Sequence, residues 1–180
     1  MKAIQSKIPG CYLLRYQKRS DLRGDFIKMF NADDFTRLGL DTTFCEQYYS
    51  WSARNVVRGM HFQLPPYDHA KVVHCFAGVI LDVVIDLRID SPAFGQAAIH
   101  TLTSDDPAAI YAPRGCAHGF CGLADRNGTL YSVTSGYVPQ ADAGVLWNSV
   151  DVDWPLDNPI ISLRDAGFPA LADFQSPFRM

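Results

Sequence analysis

The chain has 180 residues, of which 48% are hydrophobic and 19% charged, and a formal net charge of −3. That balance fits one folded domain over residues 1–180 with a substantial core, and excludes a disordered chain. The weak negative charge offers nothing to nucleic acid or to an anionic membrane surface. An anionic ligand would have to meet a local cluster of Arg and Lys inside a pocket.

No apolar run approaches the length of a membrane span, and Met1 to Leu14 lacks the charged, apolar, small order of a secretory leader. The expected location is cytoplasmic. The five cysteines are Cys11, Cys45, Cys75, Cys116 and Cys121. Their odd number, without a Cys-x-x-Cys, predicts buried reduced thiols rather than a disulfide framework or a zinc site.

Helical signal is confined to Asn31–Leu38, with Asn31 as N-cap, and to a turn or two near the C-terminus. Strand signals dominate from there on: Phe44–Ser52, Val56–Gln63, Lys71–Phe76, Ile80–Arg88, Ala97–Leu102, Ala109–Ala112, His118–Leu123, Thr129–Gly136 and Gly144–Asn148. Ile80–Arg88 alternates most regularly, with Leu81, Val83, Ile85 and Leu87 on one face and Asp82, Val84, Asp86 and Arg88 on the other. Gly78, Pro65-Pro66, Ser91-Pro92, Pro113-Arg114-Gly115 and Arg126-Asn127-Gly128 supply turns. Many short strands at near-regular spacing predict an all-β β-sandwich or closed jelly roll. After Trp154-Pro155 the pattern turns irregular and predicts a tail wrapping the barrel.

The mouth of such a barrel can be lined by inward-facing polar side chains. A metal site would call for a His-x-His pair on a strand, and His61, His69, His74, His100 and His118 contain none. The position two after His61 is Gln63, and an inward Lys71 would oppose a cation. The reading is therefore against a metal or a metal-dependent oxygenase.

Metal-free proton transfer needs a base, an acid on the opposite side of the substrate and a group that holds developing negative charge. His61, Tyr131 and Lys71 are the candidates in that order. Each also has a plain structural role open to it: a satisfied core histidine, a packed strand aromatic and a surface lysine. Arg23 and Arg58 each precede a glycine, which lets a backbone approach closely, and they are candidates for diphosphate contacts or for surface ion pairs. Strict alternation puts Arg58 and His61 on opposite faces. A bulge or a second subunit must intervene if both serve one ligand.

These segments fall into an ordered set: Asp21-x-Arg23-Gly24-x-Phe26, Arg58-Gly59-Met60-His61-Phe62-Gln63-x-Pro65-Pro66, Lys71, and Asp82 through Arg88 with Ser91-Pro92. Pro113-x-Gly115-x-Ala117-His118-Gly119-Phe120, Tyr131 with Tyr137, Trp147-Asn148, Asp153-Trp154-Pro155 and Ser162-x-x-Asp165 complete it. The set, from about residue 10 to about 170, resembles the dTDP-4-dehydrorhamnose 3,5-epimerase family of nucleotide-sugar epimerases. The resemblance implies a cupin-type jelly roll, a homodimer with shared sites, no metal or other cofactor, and a nucleotide-diphosphate-linked 4-keto-6-deoxy sugar as substrate.

It also implies roles. His61 matches the general base, Asp165 its carboxylate partner, Lys71 the cation at the C4 oxygen and Tyr131 the proton donor. Arg23, Arg58, His118 and Tyr137 match substrate-contacting positions. Where the family carries a glutamate five residues after the first arginine, this chain has Lys28. Where it carries Gln-Asp-Asn or similar, this chain has Gln47-Tyr48-Tyr49. Arg164 stands at a lysine position, and Asp142 at an acidic position after the second tyrosine. Lys28 inverts the charge offered to a nucleobase. It keeps open a GDP- or CDP-linked 4-keto sugar, such as a heptose, as the substrate. A sugar-nucleotide-binding cupin without turnover is the non-enzymatic alternative, and the complete His61, Lys71, Tyr131 and Asp165 set speaks against it.

Overall fold

The computed structural model describes residues 1–180. Four short strands come first: β1 (Lys2–Gln5), β2 (Tyr12–Arg15), β3 (Lys18–Asp21) and β4 (Gly24–Ile27). Helix α1 (Ala32–Arg37) follows, then β5 (Glu46–Ala53), β6 (Val57–Gln63), β7 (Lys71–Ala77), β8 (Val79–Asp86) and β9 (Ala97–Thr103). The last strands are β10 (Ala108–Ala112), β11 (Cys116–Gly122), β12 (Arg126–Val133) and β13 (Asp142–Gly144), and a single turn, α2 (Leu163–Ala166), lies in the C-terminal segment. One sheet runs β1-β2-β10-β7-β12-β5, the other β13-β6-β11-β8-β9, and β3-β4 forms a separate hairpin. The result is an all-β jelly roll of the cupin type.

Eight of the nine strands expected from periodicity are present, with ends displaced by a few residues; the exception is Gly144–Asn148. There only β13 is strand, ending at Gly144, and Trp147–Ser149 is a turn of 3-10 helix. Asn31 caps α1 as expected, its Oδ1 accepting from the Asp34 N–H at 3.0 Å. The first four strands were not foreseen. They are four residues each, too short to show a period. The pairing of β2 with β10 joins positions such as Arg15 and Ala108 that lie far apart in sequence, so no local signal announces it. The cysteines are all free thiols, but Cys45 is exposed rather than buried.

The core has three layers. Between the sheets lie Val73, Ile80, Val84, Ile110, Phe120 and Tyr131, among others. Helix α1 and the turn after it close the outer face of the larger sheet through Phe35 and Leu40 against Leu14 and Val72. The C-terminal segment covers the outer face of the smaller sheet, packing Trp154, Leu171, Phe174 and Phe178 on Met60, Phe62, Val83, Ile85 and Leu87. Each fully buried large side chain contributes roughly 1.5–3 kcal/mol.

The alternating strand β8 is thus buried on both faces. Its apolar face meets the C-terminal segment, and its polar face points into the barrel. Asp82 and Asp86 have essentially no exposed surface. Arg88 satisfies Asp86 through two hydrogen bonds, Nε to Oδ1 at 2.8 Å and Nη2 to Oδ2 at 2.7 Å, and the Ser91 hydroxyl adds a third at 2.6 Å. Burial alone would raise the Asp86 carboxyl, but these donors outweigh it and hold the group below the usual carboxylate range.

Removing one member of such a buried pair strands the other charge. Arg88→Ala is expected to lower the unfolding free energy by about 3–5 kcal/mol, read as a shift in the urea midpoint. A loss under ~1 kcal/mol would mean that Asp86 is protonated or hydrated in the folded protein.

Candidate active site

The site begins with an irregularity in β6. Across β6 and β11, His61 pairs with His118 and Arg58 with Phe120, so three steps on one strand face two on the other. The extra residue is a β-bulge, and it falls at Gly59. Gly59 has φ +144°, and a Cβ there would lie 2.5 Å from the Cα of Gly119. Only glycine permits that conformation and that approach. The bulge rotates the strand by half a period and brings Arg58 and His61 to the same cleft. No second subunit is needed to unite them.

The cleft holds about 500 Å³ at the mouth of the barrel. Strands β6, β7, β11 and β12 present His61, Lys71, His118 and Tyr131 to it, and β5 presents Glu46, Tyr48 and Ser50. The opposite wall carries Tyr137, Asp142 and Arg164.

Asp165 reaches the cleft from the C-terminal segment. Ile160 exchanges backbone hydrogen bonds with Asn55 and Val57 at 2.8 and 3.0 Å, which lays the segment beside β6. The Ser162 hydroxyl then caps α2 by accepting from the Asp165 N–H at 3.0 Å. Asp165 Oδ2 accepts from the Gly59 N–H at 3.2 Å, and Oδ1 lies 2.9 Å from His61 Nε2. This last contact is close but lies off the ring N–H direction, so Nε2 has no aligned hydrogen bond. The pairing is electrostatic in this geometry.

Burial lowers the His61 pKa below its usual value, and Asp165 opposes that shift. Burial would raise Asp165. Its contacts with His61, Gly59 and Ser162 win, and bring it down to about 2. Lys71 is buried with its Nζ 3.1 Å from the His61 carbonyl oxygen. Desolvation lowers it to about 8, against the pull of Asp142 and Asp82. The Tyr131 hydroxyl is pushed well above its usual range by burial. Its ring stacks on Tyr48, with centroids 4.9 Å apart and planes at 21°.

Arg58 donates from Nε to the Ser52 hydroxyl at 3.0 Å and from Nη2 to the Trp51 carbonyl at 3.2 Å. His118 is buried against Asp82, Nε2 to Oδ2 at 2.7 Å. Tyr137 donates its hydroxyl proton to Asp142 Oδ2 at 3.3 Å.

Of the residues singled out in the sequence, His61, Lys71, Tyr131, Arg58, His118, Tyr137, Asp142 and Arg164 line one cleft, and Asp165 stands directly behind His61. Four do not join them within the chain. Arg23 is at the tip of the exposed β3-β4 hairpin, bonded only to Asp21. Lys28 lies in another groove with Arg19 and Arg37. Gln47 faces outward and donates to Ser132 Oγ at 3.1 Å. Tyr49 also faces outward, packed edge-on against Phe76.

Tyr48, not its neighbours, points into the cleft, and so does His69. Tyr48 was legible in principle. Period-two alternation along β5 puts Glu46, Tyr48 and Ser50 on one face, and Tyr48 is the cross-strand partner of Tyr131. His69 follows the Pro65-Pro66 turn and carries no periodic signal.

A jelly roll whose mouth gathers a carboxylate-paired histidine, a buried lysine and a buried tyrosine defines a cupin-type enzyme of proton-transfer chemistry. The family model described as dTDP-4-dehydrorhamnose 3,5-epimerase matches residues 5–173. The Shigella flexneri dTDP-4-dehydrorhamnose 3,5-epimerase is 34% identical over 168 residues, 92% of this chain and 93% of that one. The dTDP-6-deoxy-D-glucose-3,5-epimerase of Legionella pneumophila, in complex with dTDP-4-keto-L-rhamnose, superposes with a TM-score of 0.94 at 28% identity, covering 99% and 98% of the two chains. ChmJ of Streptomyces bikiniensis, a 3'-monoepimerase in complex with dTDP-quinovose, superposes at 0.87 with 32% identity, covering 93% and 86%. The chain belongs to the dTDP-4-dehydrorhamnose 3,5-epimerase family. It is an epimerase of nucleotide-linked 4-keto-6-deoxy sugars.

Gly59→Ala is expected to disrupt the bulge. The strained φ and the collision with Gly119 should destabilise the fold by roughly 1–3 kcal/mol and lower kcat/KM by at least about 100-fold through misplacement of Arg58 and His61. Thermal melts and steady-state kinetics on the same preparation check both. Unchanged kinetics would show that the bulge does not set the site.

Proposed function

We propose that the enzyme inverts C3 and C5 of a dTDP-linked 4-keto-6-deoxy sugar, with His61 as base, Lys71 at the C4 oxygen, Tyr131 as proton donor and Asp165 as the partner of His61. The observation that carries this reading is the convergence of those groups on one cleft in the protonation states the chemistry needs. The C4 ketone acidifies the hydrogens on C3 and C5. His61, held neutral by burial, removes one. The electron pair of the broken C–H bond moves onto the C4 oxygen as an enolate, which the Lys71 ammonium stabilises. Tyr131, protonated because its anion would be desolvated, delivers a proton to the carbon from the other face. Asp165 stabilises the imidazolium formed at His61. No electrons are gained or lost, and solvent resets both groups.

The relatives and structural neighbours act on or hold dTDP-linked sugars by their names, which favours thymine as the base. The case for a GDP- or CDP-linked sugar rested on Lys28 and on Tyr48-Tyr49. Lys28 stands apart from the cleft of its own chain, and Tyr48 covers Tyr131.

Incubation of the dTDP-linked 4-keto-6-deoxy sugar in heavy water is expected to introduce deuterium at C3 and C5. His61→Asn should lower exchange by about 10²–10⁴-fold. Tyr131→Phe should spare exchange more than inversion, and equal loss of both would remove Tyr131 as donor. No exchange at either carbon in the wild-type enzyme, on dTDP-, GDP- and CDP-linked substrates alike, would leave only the binding reading.

The pH profile of kcat/KM should be bell-shaped. Its acidic limb reports His61, which must be neutral, and so should lie below about 6.5. Its alkaline limb reports Lys71, which must stay charged, at about 8. An acidic limb above 6.5 would contradict the burial of the base.

We further infer a homodimer with shared sites. The β3-β4 hairpin projects Leu22, Arg23 and Phe26 into solvent, and β5, eight residues long, is an edge strand with one side unpaired. An exposed edge beside exposed aromatics is a ready template for a second copy. Refolded mixtures of Arg23→Ala and His61→Asn chains test this. If Arg23 serves the partner's cleft, mixed dimers regain one intact site, about a quarter of wild-type sites at equal mixing. Activity no greater than that of the parents would place Arg23 outside any site.

A further inference from the structure

Arg164 stands between two carboxylates. Its Nη1 donates to Asp142 Oδ2 at 2.5 Å, and its Nε to Asp165 Oδ1 at 3.2 Å. Oδ1 is also the oxygen 2.9 Å from His61 Nε2. His61 and Arg164 therefore share one oxygen of one carboxylate. The Phe168 ring supports both, lying edge-on to the His61 ring at 5.8 Å and under the Arg164 guanidinium at 5.4 Å. Gly144 makes room for it, since a Cβ there would fall 2.4 Å from Phe168 Cε2. This aromatic seat fixes where Arg164 can reach.

We propose that Arg164 is a positioning residue that sets the basicity of His61 through Asp165, and that Asp142 governs how strongly it does so. The proposal rests on the reading of His61 as base. An arginine bonded to a carboxylate withdraws the negative charge that would otherwise stabilise an imidazolium. While Asp142 holds Nη1, Arg164 turns only Nε toward Asp165, and much of the Asp165 charge remains for His61.

The other charged or titratable groups facing His61 are few. Lys71 on β7 reaches its carbonyl. His118 on β11 is its cross-strand partner, held by Asp82 of β8. The neighbouring residue on β13 is Gly144, and Asp142 is that strand's charged member. Lys71 and Arg164 lower the basicity of His61, and Asp165 raises it. Of these, Arg164 and Asp142 can be altered while His61 and Asp165 themselves stay unchanged.

The two changes should act in opposite directions. Arg164→Gln removes the competing cation, so the His61 midpoint should rise by roughly half a unit to one unit. Asp142→Asn frees the guanidinium to engage Asp165 fully and removes a nearby negative charge, so the midpoint should fall by a similar amount. Arg164→Lys keeps the charge and should stay closer to wild type.

The readout is the imidazole titration of His61 in the free enzyme by NMR, beside the acidic limb of kcat/KM. Opposite displacements in the two variants support the proposal, and either variant alone fixes a sign if the other fails to fold. Midpoints that stay within ~0.2 unit of wild type, or that move in the same direction, overturn it. Arg164 would then act only as a substrate contact, with a raised KM and an unmoved midpoint. NMR midpoints that move as expected while the kinetic limb stays fixed would support the coupling and remove His61 as the base, which separates the two readings.

Discussion

The mouth of the barrel depends on the contact between Gly59 of β6 and Gly119 of β11. Side chains of a regular strand alternate, so Arg58 and His61 cannot share a face without an extra residue. The bulge supplies it, and the close packing of the two glycines is what the bulge requires. The Gly59 N–H lies on the same outer side of β6 as that of Val57, which donates to Ile160, and it donates to Asp165 Oδ2. One backbone irregularity thus brings Arg58 and His61 to one cleft, with Asp165 beside His61.

A second constraint comes from the smaller sheet, which is buried on both sides. Its outer face would be an apolar surface without the C-terminal segment. That segment is not a passive cover. Ile160 pairs with β6, Phe178 packs against Phe62, and between them α2 delivers Asp165. Docking of the segment therefore also places Asp165 beside His61. Its electrostatic part has a sign. Asp165 is held at about 2, below its ordinary 3.8. The stabilisation is fully present above the higher value and is lost as pH falls through the lower one. The shift corresponds to something on the order of 2 kcal/mol.

Much of this was legible in the sequence. The long strands from Glu46 onward show their period, and His61, Lys71, Tyr131 and Asp165 stand in ordered motifs. What escaped has identifiable physical reasons. The first four strands are too short for a pattern, and β2 depends on a partner, β10, far along the chain. The polar face of β8 was visible, but its direction was not. Alternation alone does not say that Asp82 and Asp86 point into the barrel, where they meet His118 and Arg88. Arg23 and Lys28 carry motif positions, yet their place depends on a hairpin that leaves its own barrel. The choice between Tyr48 and Tyr49 turns on one residue of register, which a strand specifies only through its partner.

The interior polarity of the barrel clarifies why the cleft works as it does. A wholly apolar mouth would leave Lys71 neutral and would leave nothing to hold an enolate. A solvated one would place His61 and Tyr131 near their ordinary values and weaken every interaction with the developing charge. The structure lies between these limits. Desolvation pushes His61 and Lys71 down and Tyr131 up, while carboxylates at Asp165, Asp142 and Asp82 check the first two shifts. Those carboxylates are themselves held: Asp165 by Gly59 and Arg164, Asp82 by His118, and Asp142 by Arg164. Because each is anchored by backbone or by a second side chain, the opposing shifts are fixed before any substrate arrives. That fixed arrangement is the electrostatic preorganisation that proton transfer at carbon requires.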